Sequence, residues 1–274
     1  MFAASYSISP RDLWNLIGTP RAPVIIDVRA RDFYDSAQAL LPGALWHEAD
    51  AVAGWSVQFE REQPIVVACK AGHEFSQLAV AHLRGDGYDA RMLEGGYAAW
   101  AAEGLPLVAK SALDRLAPQR PSVWVTRRRP KVDRVACPWL IRRFLDPQAR
   151  FLFVDPPEVI KVAEKAGGVP FDIKDVELSH EGERCSFDTM LKLFGLEPEP
   201  SLARLALIVR GADTARPDIA AEAAGLHAVA LGLSALAQDD DHGLLERGFM
   251  VYDALFAWLR FAAEERHNWP VKAA

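Results

Sequence analysis

The chain lacks any apolar run close to the roughly 18 uncharged residues that a membrane-spanning helix requires; its hydrophobic stretches are short and broken by Arg, Asp, Glu, Gly and Pro. No membrane association is expected. It is also poor in cysteine: Cys69, Cys137 and Cys185 stand far apart and are odd in number, which gives neither a disulfide framework nor a paired zinc-knuckle spacing. Reduced thiols follow. Net positive charge is missing too, since 37 acidic residues against 31 basic ones leave a formal charge of −6, which argues against a general nucleic-acid binder. The start, MFAASYSISPRD, has no basic segment followed by an apolar stretch and a small-residue cleavage site, so no secretory signal is read and the cytoplasm is the expected location.

Half of the 274 residues are hydrophobic, enough for a large buried core, and the length predicts two compact domains. At the start, Ser9 can cap a helix, Pro10 suits its first position and Asp12 completes a capping-box spacing, so a helix is expected to about Gly18. PVIIDVR and PIVVACK are continuous β-branched runs, the pattern of parallel strands covered on both faces. Behind the second, SQLAVAHLRGDGY repeats its apolar residues at helical spacing and ends near Gly85 or Gly87. Strand, loop and helix then place Cys69 where open α/β sheets bind ligands, at the carboxyl end of a strand and ahead of a helix N-terminus. Loop amides and the positive end of the helix dipole favour an anion there and lower a thiol's pKa, which makes Cys69 a candidate nucleophile. The competing reading is a small buried hydrophobe.

Further segments join this one in a specific order: Asp27-Val28-Arg29 with Phe33, Leu41-Pro42-Gly43-Ala44, and Leu93-Glu94-Gly95-Gly96-Tyr97-Ala98-Ala99-Trp100 followed by Gly104-Leu105-Pro106. Together with Cys69 they resemble a rhodanese domain over about residues 5 to 108. The resemblance implies an α/β fold with a five-stranded parallel sheet and flanking helices, and a Cys69 able to carry a persulfide. It further implies a supporting role for Arg29, whose guanidinium suits rigid bidentate bracing, and for Asp27 as a structural anchor. The active-site loop, Cys69-Lys70-Ala71-Gly72-His73-Glu74-Phe75-Ser76, is one residue longer than the usual sulfurtransferase loop and nearer that of the related phosphatases and arsenate reductases. Phe75 stands where those phosphatases carry their anion-clamping Arg, and Glu74 would repel a dianion, so phosphatase activity is not expected. Lys70 and a protonated His73 are the available positive charges.

The segment LVAKSALDRLAPQRPSVW sets a domain boundary, with 1–108 as the first domain, 109–121 as linker and 122–274 as the second. Beyond it the pattern predicts a strand, a basic turn, an amphipathic helix around Val135 to Leu145 and a strand at Arg150 to Val154. From Ser201 onward apolar residues recur at helical spacing, so this half is mainly α-helical with a few strands, an α+β arrangement. Its basic cluster, Arg127, Arg128, Arg129, Lys131, Arg134, Arg142 and Arg143, could clamp an oxoanion or form ordinary surface and interface ion pairs.

Thr126 to Phe144, Pro170-Phe171-Asp172-Ile173, Ser179-His180 with Cys185, Ile208 to Thr214, and Tyr252-Asp253-Ala254-Leu255 resemble the C-terminal domain of ChrB-type chromate-resistance proteins. The resemblance implies involvement in a chromate response. Members usually carry a different, regulatory N-terminal domain, so DNA binding is not carried over. Candidate ligand residues are Arg127, Lys131, Asp133, Arg134, Cys137, His180, Arg210 and Asp213. His180, Glu181, Glu183 and Cys185, with Asp133, Asp213 and Glu246, supply N, O and S donors that admit a transition metal, although their spacing is not diagnostic. Cys137 lies in an apolar helical stretch that favours packing. Asp239-Asp240-Asp241-His242 reads as a solvated loop.

The expected function is a rhodanese-type sulfurtransferase, or a thiol-dependent oxoanion-handling protein, with Cys69 as nucleophile and no required cofactor. Its small partner is a sulfur donor or an oxoanion such as thiosulfate or chromate, and self-association through the later helices is left open. The alternative is a sensor or binding module without turnover.

Overall fold

The computed structural model describes residues 6–265; of the opening stretch read above for a leader, residues 1–5 lie outside that range. The first half is built on a five-stranded sheet in the order β1 (Ser7–Ile8), β6 (Ala90–Leu93), β5 (Ile65–Ala68), β2 (Val24–Asp27) and β4 (Ala44–Trp46), every pair parallel. Around it lie α1 (Pro10–Leu16), α2 (Arg31–Asp35), α3 (Val52–Trp55), α4 (Glu74–Gly85) and α5 (Gly96–Ala102). The Ser9 hydroxyl accepts the Asp12 amide at 3.1 Å to start α1, as its spacing predicts. The helix stops at Leu16, short of Gly18.

Alternation along the strands divides the core. Val24, Ile26, Val28, Ile65, Val67 and Cys69 face α3 and α4, packing with Trp55, Phe59, Val80 and Leu83. Ile25, Val66 and Ala68 point the other way, into a cluster that continues without a break into the second half through Trp14, Trp100, Trp139, Phe144 and Phe256. The expectation of two compact domains therefore meets a shared core. At the junction, a Cβ on Gly18 (φ +77°) would lie 2.5 Å from Phe256 Cε1 and 2.9 Å from Phe144 Cζ, so only glycine fits both the turn and the contact. Arg260 donates to the carbonyls of Ile17 at 3.0 Å and Trp14 at 2.9 Å, closing the end of α1 from the other half.

Residues 109–121, read above as a linker, are structured. A short antiparallel pair joins β3 (Ala39–Leu40) to β7 (Val108–Ala109), and α6 (Lys110–Leu116) follows. The second half holds a parallel sheet in the order β10 (Val169–Pro170), β8 (Val123–Arg127) and β9 (Arg150–Val154). With it are α7 (Asp133–Leu140), continued by a wider turn over Ile141–Leu145, then α8 (Val159–Ala166), α9 (Ser186–Leu193), α10 (Pro200–Asp213), α11 (Ala223–Ala237) and α12 (Asp241–Ala257). This half is mainly helical. Among the described residues no helix is long and apolar enough to cross a membrane.

Candidate functional sites

Cys69 follows β5 and is 3% exposed; α4 begins five residues later at Glu74. The loop between them is seated on the start of α5, where the Tyr97 and Ala98 amides donate to the carbonyls of Cys69 and Lys70 at 2.9 Å each. Gly72, Gly95 and Gly96 make that seat possible. All have positive φ, and a Cβ on Gly96 would fall on the Cys69 carbonyl and within 2.7 Å of the Gly72 nitrogen. The Glu94-Gly95-Gly96 motif is thus a backbone-to-backbone contact no other residue would allow.

Ser76 Oγ lies 3.3 Å from Cys69 Sγ and donates to the His73 carbonyl at 3.0 Å. Burial pushes the Cys69 thiol up, but the Ser76 hydroxyl and backbone hydrogen bonds at Ala71, Ser76 and His73 outweigh it, so the pKa ends below the ordinary thiol value. Lys70 places its ammonium 3.9 Å from the centroid of Phe33. His73 and Glu74 are exposed, and Ala71 and Gly72 half-buried. Phe75, 48% exposed, lines with Leu78, Val28, Arg29 and Arg31 a cleft of about 300 Å³ beside the loop.

Asp27 and Arg29 form a buried bidentate pair, with Arg29 Nε at 2.9 Å and Nη2 at 2.6 Å from Asp27 Oδ2. The guanidinium sits 4.1 Å from the centroid of Tyr97, the residue whose amide holds the Cys69 carbonyl.

The basic run of the second half is dispersed by the fold. Arg128 pairs with Asp155 at 3.2 Å, Arg142 with Glu246 at 3.0 Å and Arg143 with Asp253 at 2.7 Å. Arg127 and Arg134 converge on the buried Asp172, at 2.8 and 3.1 Å. Lys131 is exposed beside Val135 and Tyr252, and Arg210 is bound bidentately to Asp188, so neither joins Arg127 and Arg134. Cys137 and Cys185 are both fully enclosed, and burial pushes each thiol well up. Cys185 directs its sulfur at Asp188.

Asp133, His180 and Asp213 do come together. Asp133 opens α7 and its Oδ2 accepts the Ser186 amide at 3.2 Å; Asp213 closes α10; His180 reaches over them from the loop before α9. His180 Nε2 lies 3.3 Å from Asp133 Oδ2, 3.3 Å from Asp213 Oδ2 and 3.5 Å from Asp172 Oδ1. Hydrogen bonds to Asp133 and Asp172 raise the His180 pKa to about 10, while burial, with Asp133 and Asp172 alongside, pushes Asp213 up to about 7. Asp172 is the member that sequence reasoning missed: it sits at φ +51°, held by Ser186 Oγ at 2.9 Å and the two arginines. Its only signal was its place in the Pro170-Phe171-Asp172-Ile173 segment. Glu181, Glu183 and Glu246 are instead paired with Lys192, Arg216 and Arg142. Asp240 caps α12 through the Gly243 amide and Asp241 accepts the Arg129 amide, so the acidic run before α12 serves helix and loop.

A parallel sheet, a strand-end cysteine in an amide-lined loop and a double-glycine seat define the rhodanese class. Family comparison agrees: residues 9–103 match the rhodanese-like domain family and residues 124–259 the ChrB C-terminal domain family. Protein ChrB of Cupriavidus metallidurans is 41% identical over 133 residues, covering 48% of this chain. The chain spans 39% of that relative's length. Among solved structures, a rhodanese-related protein from Thermoplasma volcanium is 25% identical, covering 38% of this chain and 98% of its own at a TM-score of 0.33. A rhodanese-like domain protein from Staphylococcus aureus is 28% identical, with 37% and 97% covered at 0.33.

Proposed function

We propose that the chain is a rhodanese-type sulfurtransferase in which Cys69 carries sulfur as a persulfide, acting in a chromate response through its ChrB domain. The observation that carries this is the Cys69 thiol held at a strand end below its ordinary pKa, with Ser76 Oγ at 3.3 Å. The thiolate attacks the outer sulfur of a donor such as thiosulfate. A new S–S bond forms at Cys69, the donor's S–S bond breaks, and sulfite leaves with the bonding pair. Loop amides and Ser76 stabilise the negative charge, which moves to the outer sulfur of the persulfide. An acceptor thiolate then attacks that sulfur, forming its own persulfide and returning Cys69 as thiolate. No metal is needed for either displacement.

A second reading, oxoanion handling without turnover, draws on Arg127, which lines an open cleft of about 480 Å³ together with His180 and Lys174. Intact-protein mass spectrometry after thiosulfate treatment separates the two. A gain of one sulfur, removed by cyanide and absent in Cys69→Ser, is expected of the sulfurtransferase. No gain with thiosulfate or a persulfide donor overturns it and leaves oxoanion binding.

A further inference from the structure

We propose that Asp133, His180 and Asp213 form a binding site for one divalent transition-metal ion in the ChrB domain, a site independent of the sulfur chemistry at Cys69. The three residues come from separate elements, the start of α7, the loop before α9 and the end of α10, and each offers one ligand atom within 4.8 Å of the others.

The distances fit a coordination shell better than an ion-pair network. A histidinium bound to a carboxylate sits at about 2.7–2.9 Å. The contacts of His180 Nε2 are longer than that and divided among three carboxylate oxygens, at 3.3, 3.3 and 3.5 Å. Ligands held at about 2.0–2.2 Å around a tetrahedral ion lie about 3.4 Å from one another, and around an octahedral ion about 3.0 Å. The two 3.3 Å separations fall between these values.

A second observation concerns what lies beside the ligands. Arg127 uses Nη2 to hold Asp172 at 2.8 Å, yet its Nε is buried and has no hydrogen-bond partner among the described residues. Arg127 lines the same cleft as Asp172 and His180. It suits a water or oxoanion oxygen completing the shell of an ion. Asp172, tied to Arg127, Arg134 and Ser186 Oγ, orients the surroundings. His180 is 42% exposed on a cleft of about 480 Å³, which leaves an open face for such a ligand. One imidazole and two carboxylates suit Mn²⁺, Fe²⁺, Co²⁺ or Zn²⁺.

The test is titration of chelator-treated full-length protein with Co²⁺, read by calorimetry and by the visible spectrum, with wild type compared to Asp213→Asn, His180→Ala and Glu183→Gln. Circular dichroism and thermal melts establish that each variant folds. One Co²⁺ per wild-type chain is expected, at least tenfold weaker in Asp213→Asn and His180→Ala and unchanged in Glu183→Gln. Absence of stoichiometric binding by wild type, or equal affinity in whichever of the two ligand variants folds, overturns the site. Sulfur loading of Cys69 is unaffected by either result.

Discussion

Replacing Ser76 by alanine tests the electrostatics of the Cys69 loop directly. The hydroxyl lies 3.3 Å from the sulfur and also donates to the His73 carbonyl at 3.0 Å, so with Cys69 as thiolate its single proton is shared between two acceptors. Hydrogen bonds to charged groups contribute about 1.5–3 kcal/mol, and the shared geometry puts this one at the lower end. Loss of about 1.4 kcal/mol from the thiolate form lowers its population about tenfold at any pH below the pKa. The assay is the pseudo-first-order rate of Cys69 alkylation by iodoacetamide between about pH 6 and 9, a range that includes the ordinary thiol titration. Cys137 and Cys185 stay silent because they are enclosed and their thiols are pushed well up. In wild type the rate reaches its plateau at lower pH than a free thiol, and Ser76→Ala moves that plateau to higher pH and slows the neutral-pH rate about tenfold. A neutral-pH rate within about twofold of wild type would mean that Ser76 does not stabilise the thiolate, and the loop amides alone would have to account for the lowered pKa.

Gly96→Ala should abolish sulfur loading and cost at least about 2 kcal/mol, because the new Cβ lands on the Cys69 carbonyl from a left-handed backbone; mass spectrometry and urea unfolding report the two effects. Asp253→Ala removes the acceptor of Trp139 Nε1 at 2.8 Å and of Arg143 at 2.9 and 2.7 Å. About 2–3 kcal/mol of stability should be lost in urea titrations, less than for a fully buried pair since Arg143 is partly exposed. Arg260→Ala uncaps α1 and removes a cation–π contact of 4.6 Å to Trp14, at a cost of about 1–2 kcal/mol. Because the cluster it borders is common to both halves, unfolding followed by far-ultraviolet circular dichroism and by tryptophan fluorescence should give coincident transitions in wild type and variant; two separated transitions would contradict a shared core.

The local pattern was a good guide wherever neighbours in sequence make the structure. PVIIDVR and PIVVACK became β2 and β5, Arg150 to Val154 became β9 with the expected bounds, and the region after Ser201 became three long helices. Cys69 was legible because its setting is local: a strand ends, a glycine-containing loop turns, and a helix begins. What sequence could not supply was pairing at a distance. The run from Arg127 to Arg143 looks like one basic patch, yet β8, the turn and α7 point its members in different directions, and four carboxylates pair with five of them, Arg127 and Arg134 sharing Asp172. Lys131 and Arg210 were candidate ligand residues alongside Arg127 and Arg134, and the fold sends one to the surface and the other to Asp188.

Asp172 shows the converse. An aspartate in a short turn carries no periodicity or motif of its own, but its left-handed backbone and the arrival of Arg127, Arg134, Ser186 and His180 make it a hub of ion pairs and hydrogen bonds beside Asp133 and Asp213. The shared core was hidden for the same reason. Trp14, Gly18 and Trp100 belong by sequence to a complete α/β pattern, and nothing in that pattern says that one face of the sheet awaits Phe144 and Phe256. The helix that begins at Asp133 runs on through Trp139 to Phe144, where it meets α1. The carboxylate and histidine site therefore stands at one end of an element whose other end is buried against the rhodanese half. Any rearrangement of α7 on ligand binding would have to be accommodated at Gly18, where there is no space for even a methyl group.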